Sequence, residues 1–165
     1  MVSRDGLLAL LSELGIPFRL YEHEAVYTIP EAETLCRTMN GILCKSLLLA
    51  DAHGGLWLLA ARGNIRIDLK ALARHLRCGR LSFAPAEALQ RYLGCTAGAA
   101  SLFGLVNDMQ GRVTAVIEEP LLAAGEDLLF HPLENTASVA ISPEGLRRFL
   151  AHIRHTPVPV PAIGH

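Results

Sequence analysis

The stretch Ile42-Leu43-Cys44-Lys45-Ser46-Leu47-Leu48-Leu49-Ala50 has the length and composition of a β-strand, with one lysine at its centre. The two-residue period of a strand would place Lys45 on one face with Leu43, Leu47 and Leu49. An ammonium among leucines must be solvated through a cleft, paired with an acceptor or held ready for a ligand's charge, because burying it unpaired is costly. The alternative is a lysine whose apolar stem carries its charge from a strand end to water. This stretch alone does not choose between the two.

The residues that follow predict a hairpin and then a helix. The turn-forming segment 51–55 returns the chain into a second apolar run, Leu56 to Ala60. Asp68 is a suitable N-cap for the helix, since its carboxylate can accept a hydrogen bond from a free backbone N–H group. The inner face of this helix is predicted to consist of Leu69, Leu72, Ala73 and Leu76.

The outer face of the same helix is basic and carries Lys70, Arg74 and Arg77. Between Arg62 and Arg91 there are seven basic residues and two acidic ones. A solvated helix face is the ordinary interpretation, and the stripe taken by itself favours it. The functional interpretation is a binding site for the phosphate backbone of a nucleic acid.

The rest of the chain mixes helices with strands. Helical spacing or capping signals predict helices over 3–15, from Thr28 to about Met39, from Pro85 to Leu93 and from Ser142 onward, and short apolar runs predict strands at 17–21, 81–83, 113–117, 128–130 and 137–141. The pattern indicates one α/β (α+β mixed) domain over residues 1–155. Residues 156–165 contain three alternating prolines and are predicted to form a flexible, extended tail.

Composition narrows the class of protein. The 165 residues suffice for one domain with a real core, 51% of them are apolar, and the net charge of −1 gives no overall attraction to nucleic acid. The four cysteines (Cys36, Cys44, Cys78 and Cys95) show no paired-ligand spacing and no secretory leader accompanies them. We therefore expect reduced thiols, a cytoplasmic location and no membrane span.

Two further segments could contribute to a site. The run Cys95 to Gly104 consists mainly of small residues, so its backbone N–H groups could approach an anion or a developing oxyanion, although such runs more often serve tight packing. A polar cluster containing His131, Asn135 and Thr136 lies between two apolar strands, where sites on a sheet scaffold are often found. His131 taken alone indicates a hydrogen-bonded structural histidine.

Several kinds of catalysis are disfavoured by the residues present. The seven histidines are scattered without metal-ligand spacing. Cys44 neighbours Lys45, but adjacent strand residues point to opposite faces, so the lysine would not easily activate that thiol. Ser46 lacks the strand-to-helix elbow of a hydrolase nucleophile. What is left is a cationic Lys45, backbone donors around Gly98 and the His131 cluster, which together suit an ester carbonyl attacked by water.

Several segments together resemble the freestanding prolyl-tRNA editing proteins of the YbaK/ProX type, particularly the alanyl-tRNA(Pro) deacylases. The resemblance covers nearly the whole chain in order and is carried by residues 25–32, the Lys45 strand with Leu56-Trp57-Leu58, Asp68-Leu69-Lys70, Leu81-Ser82-Phe83-Ala84, Phe103-Gly104-Leu105-Val106-Asn107-Asp108 and Phe130-His131-Pro132-Leu133-Glu134-Asn135-Thr136. It implies a single domain with a mixed, partly barrel-like sheet surrounded by helices.

The resemblance also implies a metal-independent esterase without a cofactor. Its catalytic positions map to Lys45, Gly98 and His131, and its substrate-binding positions to Ser46, Ala99, Ala100, Ser101, Leu102, Phe103, Asn135 and Thr136. Lys45 would fix the terminal nucleotide or the acyl carbonyl, and backbone N–H groups near Gly98 to Ser101 would polarise that carbonyl. The partner is the aminoacylated end of tRNA(Pro), a prolyl-tRNA synthetase stays open as a second partner, and a monomer is expected.

Specificity for alanine would follow from a pocket too small for proline, because excluding a larger side chain by clash is easier than grading similar ones by attraction. Three positions depart from the family's pattern. Ser46 replaces an asparagine, Ala97 precedes Gly98 where the family has proline, and Leu102 replaces a proline before Phe-Gly. The loss of two prolines predicts a less rigid loop. The alternatives are therefore a deacylase for another small amino acid and a binding module for tRNA or a synthetase that has lost catalysis.

Overall fold

The computed structural model describes residues 1–165, except for the side chain of Ile29. The strands are β1 (Phe18–Glu22), β2 (Ile42–Ala50), β3 (Leu56–Arg62), β4 (Ser82–Phe83), β5 (Val113–Glu118), β6 (Leu128–Phe130), β7 (Ala137–Ile141) and β8 (Val158–Val160). The helices are α1 (Arg4–Glu13), α2 (Ile29–Cys36), α3 (Leu69–Leu76), α4 (Ala86–Ala88), α5 (Glu119–Leu122) and α6 (Pro143–His152). A π-helical turn (Leu89–Leu93) extends α4, and a 3₁₀ helix (Leu102–Asn107) precedes β5.

The strands form one mixed sheet in the order β1-β7-β6-β2-β3-β5-β8, with β4 paired to β2 outside this path. The predicted hairpin of β2 and β3 is antiparallel, and Lys45 lies opposite Ala61 in it. In contrast, β2 runs parallel to β6, and β3 runs parallel to β5. The predicted mixed α/β class is confirmed.

Both faces of β2 pack against apolar residues. Leu49 belongs to a cluster that includes Leu72 of α3, with Leu47 packed against it, whereas Leu48 belongs to a larger cluster on the opposite face. Lys45 shares the face of Leu47 and Leu49, as the strand period predicts. The ammonium group therefore starts from a strand that has no fully solvated face.

Local capping explains where the helices begin. The side chains of Ser3, Thr28, Asp68 and Ser142 each accept a hydrogen bond from a backbone N–H group in the first turn of α1, α2, α3 and α6. Three of these positions, Thr28, Asp68 and Ser142, were identified from the sequence. The cap at Thr28 also fixes the position of the segment before α2.

The Asn107-Asp108 pair is a structural staple. The side chain of Asn107 accepts a hydrogen bond from Val2 N and donates to Leu93 O, at distances of 2.7 and 3.0 Å. The Asp108 carboxylate accepts from the backbone of Val113 at 2.9 Å and lies 3.0 Å from Nε2 of His155. The buried pair of Asp108 and His155 connects the end of α6 to the start of β5.

The tail differs from its prediction. Val158–Val160 form β8, which pairs in parallel with β5, and Val160 is buried. Pro159 is accepted because β8 lies at the edge of the sheet. The prediction of a flexible tail over 156–165 is therefore wrong for this strand, since burial and backbone pairing hold it in place. Within the described residues, no helix combines the length and the apolar character that crossing a membrane requires.

Candidate active site

A cavity of about 280 Å³ opens between β2, the loop around Gly98 and the segment before α2. It is lined by Lys45, Ser46, Gly98, Ala100 and His131. These residues come from three distant parts of the chain and were all predicted site residues. The structure brings them together, and their individual roles stay predictions.

The pairing of β2 explains why the middle of this strand faces a cavity. On one edge, β6 pairs only with Ile42 and Leu43, whereas β4 pairs only with Leu49 and Ala50. Residues 44–48 lie between these two pairings, while β3 covers the other edge continuously. The cavity lies beside this interval, so Lys45 and Ser46 form part of its wall.

Lys45 is partly buried, and its Nζ donates a hydrogen bond to the carbonyl of Ile65 in the loop after β3. Burial lowers the pKa of the Lys45 ammonium, and the negative charge of Glu118 opposes this shift. Glu118 is itself held by Arg62, with 2.6 Å between Oε1 and Nη2. Lys45 is thus a cation with a neutral direct acceptor, and it can attract an anionic or carbonyl oxygen of a ligand.

His131 is anchored through one ring nitrogen. Its Nδ1 lies 2.8 Å from the carbonyl oxygen of Ala137, so Nδ1 carries the proton and Nε2 is left as an acceptor. Burial lowers the pKa of His131, the hydrogen bond to Ala137 raises it, and the neighbouring His23 lowers it. The ring is therefore predominantly neutral near pH 7. In this neutral state Nε2 can accept a hydrogen bond.

Gly98 has a φ of +79°, which side chains rarely adopt, and a Cβ there would lie 3.3 Å from Nδ2 of Asn135. Nδ2 of Asn135 and Oγ of Ser46 are both buried and have no hydrogen-bond partner among the described residues. Buried polar atoms of this kind usually have partners, because an unsatisfied group costs about 1–3 kcal/mol. The two atoms therefore mark polar positions at or beside the cavity that a ligand could satisfy.

Four predicted substrate-binding residues lie in the core instead. Ala99, Ser101, Leu102 and Phe103 are all 0% exposed. Ser101 caps the 3₁₀ helix by accepting a hydrogen bond from Phe103 N, and the Phe103 ring packs edge-on against Phe130 and Phe149. These four side chains therefore pack in the core while Gly98 and Ala100 line the cavity, and their assignment to substrate binding stays a prediction.

Two further details correct the predicted site. The amide of Ala99 donates to Thr96 O at 3.0 Å, so it is already engaged and is unsuited to polarising a substrate carbonyl. Thr136 is exposed, and its carbonyl accepts a hydrogen bond from His23 N at 3.0 Å. Among the predicted loop positions, Gly98 and Ala100 are the ones at the cavity wall.

The structure also adds residues that sequence reasoning did not select. Val26, Tyr27, Thr28 and Ala32 line the cavity beside Leu43 and Gly63. Tyr27 is 78% exposed, so its ring stands at the mouth. Val26, Tyr27, Thr28 and Ala32 all belong to the stretch 25–32 that resembles the family. The capping pattern of Thr28 predicts the start of a helix, but it does not predict a cavity.

Other chemistry is poorly supported at this cavity. Burial raises the pKa of the Cys44 thiol, which opposes formation of the nucleophilic thiolate. Within the described part of the chain, no group of three or more His, Cys, Asp or Glu side chains is arranged to hold a metal ion. The cavity offers a cation, a neutral imidazole acceptor and polar groups between small side chains.

The basic stripe lies outside this cavity, with Lys70 and Arg74 on α3 and Arg77 at its C-cap, where φ is +55°. Lys70, Arg74 and Arg77 are exposed, as predicted, and Leu72 on the inner face is 0% exposed. The loop from Gly63 to Asp68 joins the cavity wall to the start of α3.

Residues 23–149 match the family model for the aminoacyl-tRNA editing domain. The chain belongs to this family, which is a family of editing hydrolases. The predicted family and class of enzyme are confirmed.

Two related sequences match this chain over most of their length. The prolyl-tRNA editing protein ProX of Acetoanaerobium sticklandii is 36% identical over 151 residues, which cover 91% of this chain and 92% of the relative. The prolyl-tRNA synthetase associated domain-containing protein 1 of Danio rerio is 31% identical, with coverages of 94% and 85%.

A solved structure shows the same fold. It is described as a candidate trans-editing enzyme for prolyl-tRNA synthetase and superposes with a TM-score of 0.73 at 20% identity, covering 100% of this chain and 98% of the other. At this level of identity the match concerns the fold alone.

The state of His131 predicts how stability depends on pH. Because its pKa is lowered in the folded protein, the unfolded chain binds more protons between the unfolded pKa of about 6.5 and the folded value, so stability is lost as pH falls through this window. We expect the melting temperature to fall more between about pH 7.5 and pH 5.5 in the wild type than in His131→Asn, which retains a donor for Ala137. The exposed His53 provides a control, since His53→Asn should behave as the wild type does. Equal losses in wild type and His131→Asn would contradict the assignment.

Proposed function

We propose that this protein is a trans-editing deacylase that hydrolyses the ester of mischarged tRNA(Pro), and that its substrate is alanyl-tRNA(Pro). The observation that carries the proposal is the convergence of Lys45, Gly98 and His131 on one cavity with small walls. The names of the relatives support prolyl-tRNA as the tRNA concerned.

The cavity suggests a division of roles. The Lys45 ammonium attracts the acyl carbonyl oxygen or the terminal phosphate, and the backbone at Gly98 and Ala100 lies against the acyl group. Water, assisted by the free hydroxyl of the terminal ribose, attacks the acyl carbon, and His131 Nε2 can accept a hydrogen bond from either. The bond between the acyl carbon and the ribose oxygen then breaks. The ribose oxygen takes up the proton that the attacking water has lost, which releases the amino acid and an uncharged tRNA.

The proposed preference for alanine follows from the walls. Ala32, Ser46, Gly98 and Ala100 line the cavity with small side chains, so the acyl group would lie close to the backbone that carries them, and this backbone would set the limit on its size. Ser46 is shorter than the asparagine typical of related proteins, so its position determines how much room is left. Its buried hydroxyl can also bind the substrate's amino group.

The deacylation reaction tests the proposal directly. Wild-type protein should release amino acid from alanyl-tRNA(Pro) faster than from prolyl-tRNA(Pro), and Lys45→Ala should lower kcat/KM by about a hundredfold because an electrostatic contact to the reacting ester is lost. Arg147→Ala is the control, since it removes an exposed cation on α6 and should leave the rate unchanged. Release is measured with aminoacyl-tRNAs of several amino acids.

The same assay separates the alternative of a binding module. If tRNA binds but no aminoacyl ester is cleaved above the uncatalysed blank, the enzyme proposal fails. If a different small amino acid is removed faster than alanine, the reaction is retained and the proposed substrate is wrong. Adding a prolyl-tRNA synthetase to the assay tests the second partner, which the name of the zebrafish relative supports.

Two substitutions at Ser46 distinguish volume from hydrogen bonding. Ser46→Asn adds volume to the wall, so it should lower the rate for larger aminoacyl groups relative to alanine by roughly tenfold, the scale expected for one methylene in a pocket. Ser46→Ala preserves the volume and should lower the rate for all aminoacyl groups alike. The measurement is the ratio of kcat/KM values across the panel. An unchanged ratio in Ser46→Asn would remove Ser46 from the specificity pocket.

The approach of the tRNA is proposed to follow the loop from the cavity to α3. The exposed ring of Tyr27 at the mouth offers a surface on which a base can stack, and the basic stripe offers charges for the phosphates. Because the net charge is −1, a local cluster rather than the whole molecule must supply the attraction.

Replacing Lys70, Arg74 and Arg77 together by glutamine should weaken tRNA binding and flatten its salt dependence, because fewer counterions are released. The measurement is the dissociation constant of tRNA(Pro) over a series of salt concentrations. A variant with Arg19, Arg147 and Arg148 replaced by glutamine has the same net charge and should retain the wild-type slope. Equal salt slopes in the two triple variants would show that the stripe does not bind tRNA and is an ordinary solvated helix face.

A further inference from the structure

We propose that residues 163–165 form a clamp that positions Lys45. The clamp holds the loop Gly63 to Asp68, and this loop supplies the carbonyl that accepts the hydrogen bond of the Lys45 ammonium. The inference deepens the proposed function in one respect, because it takes Lys45 to be the cation that meets the substrate. Residues 163–165 act through Lys45 and are positioning residues.

The clamp consists of backbone hydrogen bonds in both directions. Arg66 N donates to His165 O at 3.0 Å, and His165 N donates back to Arg66 O at 3.2 Å. Asp68 N donates to Ile163 O at 3.4 Å, and Ile67 forms a β-bridge with Gly164. Three consecutive residues thus hold the loop immediately after Ile65.

The clamp is itself fixed to the core. Val160 is 1% exposed and packs in the cluster that contains Leu72, and Ile163 packs against the same cluster. Since β8 pairs with β5, the segment leaves the sheet at a defined point. Residues 163–165 therefore present their backbone to the loop from a rigid base.

The loop is also restrained by its side chains, because Ile65 and Ile67 pack against the cluster that contains Leu72. Gly63 N donates to Leu43 O at 2.8 Å and ties the start of the loop to β2, whereas the Ile65 amide has only a long contact of 3.5 Å to Arg62 O. Asn64 is exposed. The position of the Ile65 carbonyl consequently depends on two restraints, the packing of the Ile65 side chain and the backbone bonds of the next residue, Arg66, which the clamp holds. Moving Arg66 would move the acceptor of the Lys45 ammonium.

Gly164 offers a local way to open the clamp. A Cβ at this position would lie 2.2 Å from the carbonyl oxygen of Arg66, which is a backbone atom that cannot rotate away. Gly164→Ala must therefore separate residues 163–165 from the loop. Gly125→Ala is the matched control, because a Cβ at Gly125 meets nothing within 4 Å.

The readout is the Lys45 side chain itself. The chain contains two lysines, Lys45 and Lys70, so protein labelled with ¹³C-lysine gives two Cε signals, which Lys45→Ala assigns. The exposed Lys70 is an internal reference. In Gly164→Ala we expect the Lys45 signal to move and its titration midpoint to shift to lower pH, because a hydrogen bond that favours the charged form is lost. Both signals should be unchanged in Gly125→Ala.

Activity provides the second readout. Gly164→Ala should lower kcat for the deacylation by roughly ten- to a hundredfold, with a smaller effect on KM, since displacing a group by about 1 Å has effects of this size. The melting temperature is measured in parallel to show that the variant is folded. A chain that lacks residues 163–165 but retains β8 is the second variant, and it should reproduce the Lys45 shift because it cannot make the clamp bonds.

The inference is overturned if the Lys45 signal and its midpoint equal those of the wild type in the shortened chain while the amide signal of Arg66 shows that the loop has been released. The spectra need no substrate, so they decide about the clamp even if the wild type cleaves no aminoacyl-tRNA. In that case the proposed function fails and the clamp is judged separately.

Discussion

The hydrogen bond from the Lys45 ammonium to the Ile65 carbonyl is the contact on which the candidate site depends. Lys45 belongs to a strand that packs against apolar residues on both faces, so its partly buried charge is favoured by an acceptor. Glu118 contributes a favourable charge, yet its carboxylate is already bound by the backbone and side chain of Arg62 at 2.9 and 2.6 Å. Within the part of the chain that the structure describes, Lys45 therefore has no carboxylate partner of its own. Its positive charge is left to interact with a ligand.

The opposite wall is organised by histidines. His23 lies with its ring centroid 6.1 Å from that of His131, and its Nε2 is 2.9 Å from Oγ of Ser138. Since Ala137 and Ser138 are neighbours in β7, this strand orients both rings. A cation on β2 and a neutral acceptor held by β7 thus face one cavity from elements whose backbones are fixed by the sheet, which limits the reorganisation needed when substrate binds.

Local patterns were sufficient for much of the fold. The hairpin, the Asp68 cap and the inner face of α3 depend on neighbouring residues, and these predictions are confirmed. β8 was missed because its strand character comes from parallel pairing with β5, a distant contact that leaves no periodic signal among three prolines. For the site, residue chemistry and family resemblance located Lys45, Gly98 and His131. Neither indicated which side of the 95–104 loop faces the core, so the burial of Leu102 and Phe103 was not anticipated.

Packing at Leu102, one of the two positions that lack the family's proline, bears on the expectation of a less rigid loop, whereas the other position, Ala97, is exposed. Proline restricts a loop by limiting its unfolded conformations, whereas here the restriction comes from packing. Leu102 and Phe103 are fully buried, and Ser101 caps the following 3₁₀ helix, so the backbone beside Ala100 is fixed from the core side. The core side thus holds the wall at Ala100, whereas Gly98 beside it is exposed. The side chain that can still vary the size and polarity of the cavity lies on the facing strand, at Ser46, whose buried hydroxyl has no partner among the described residues.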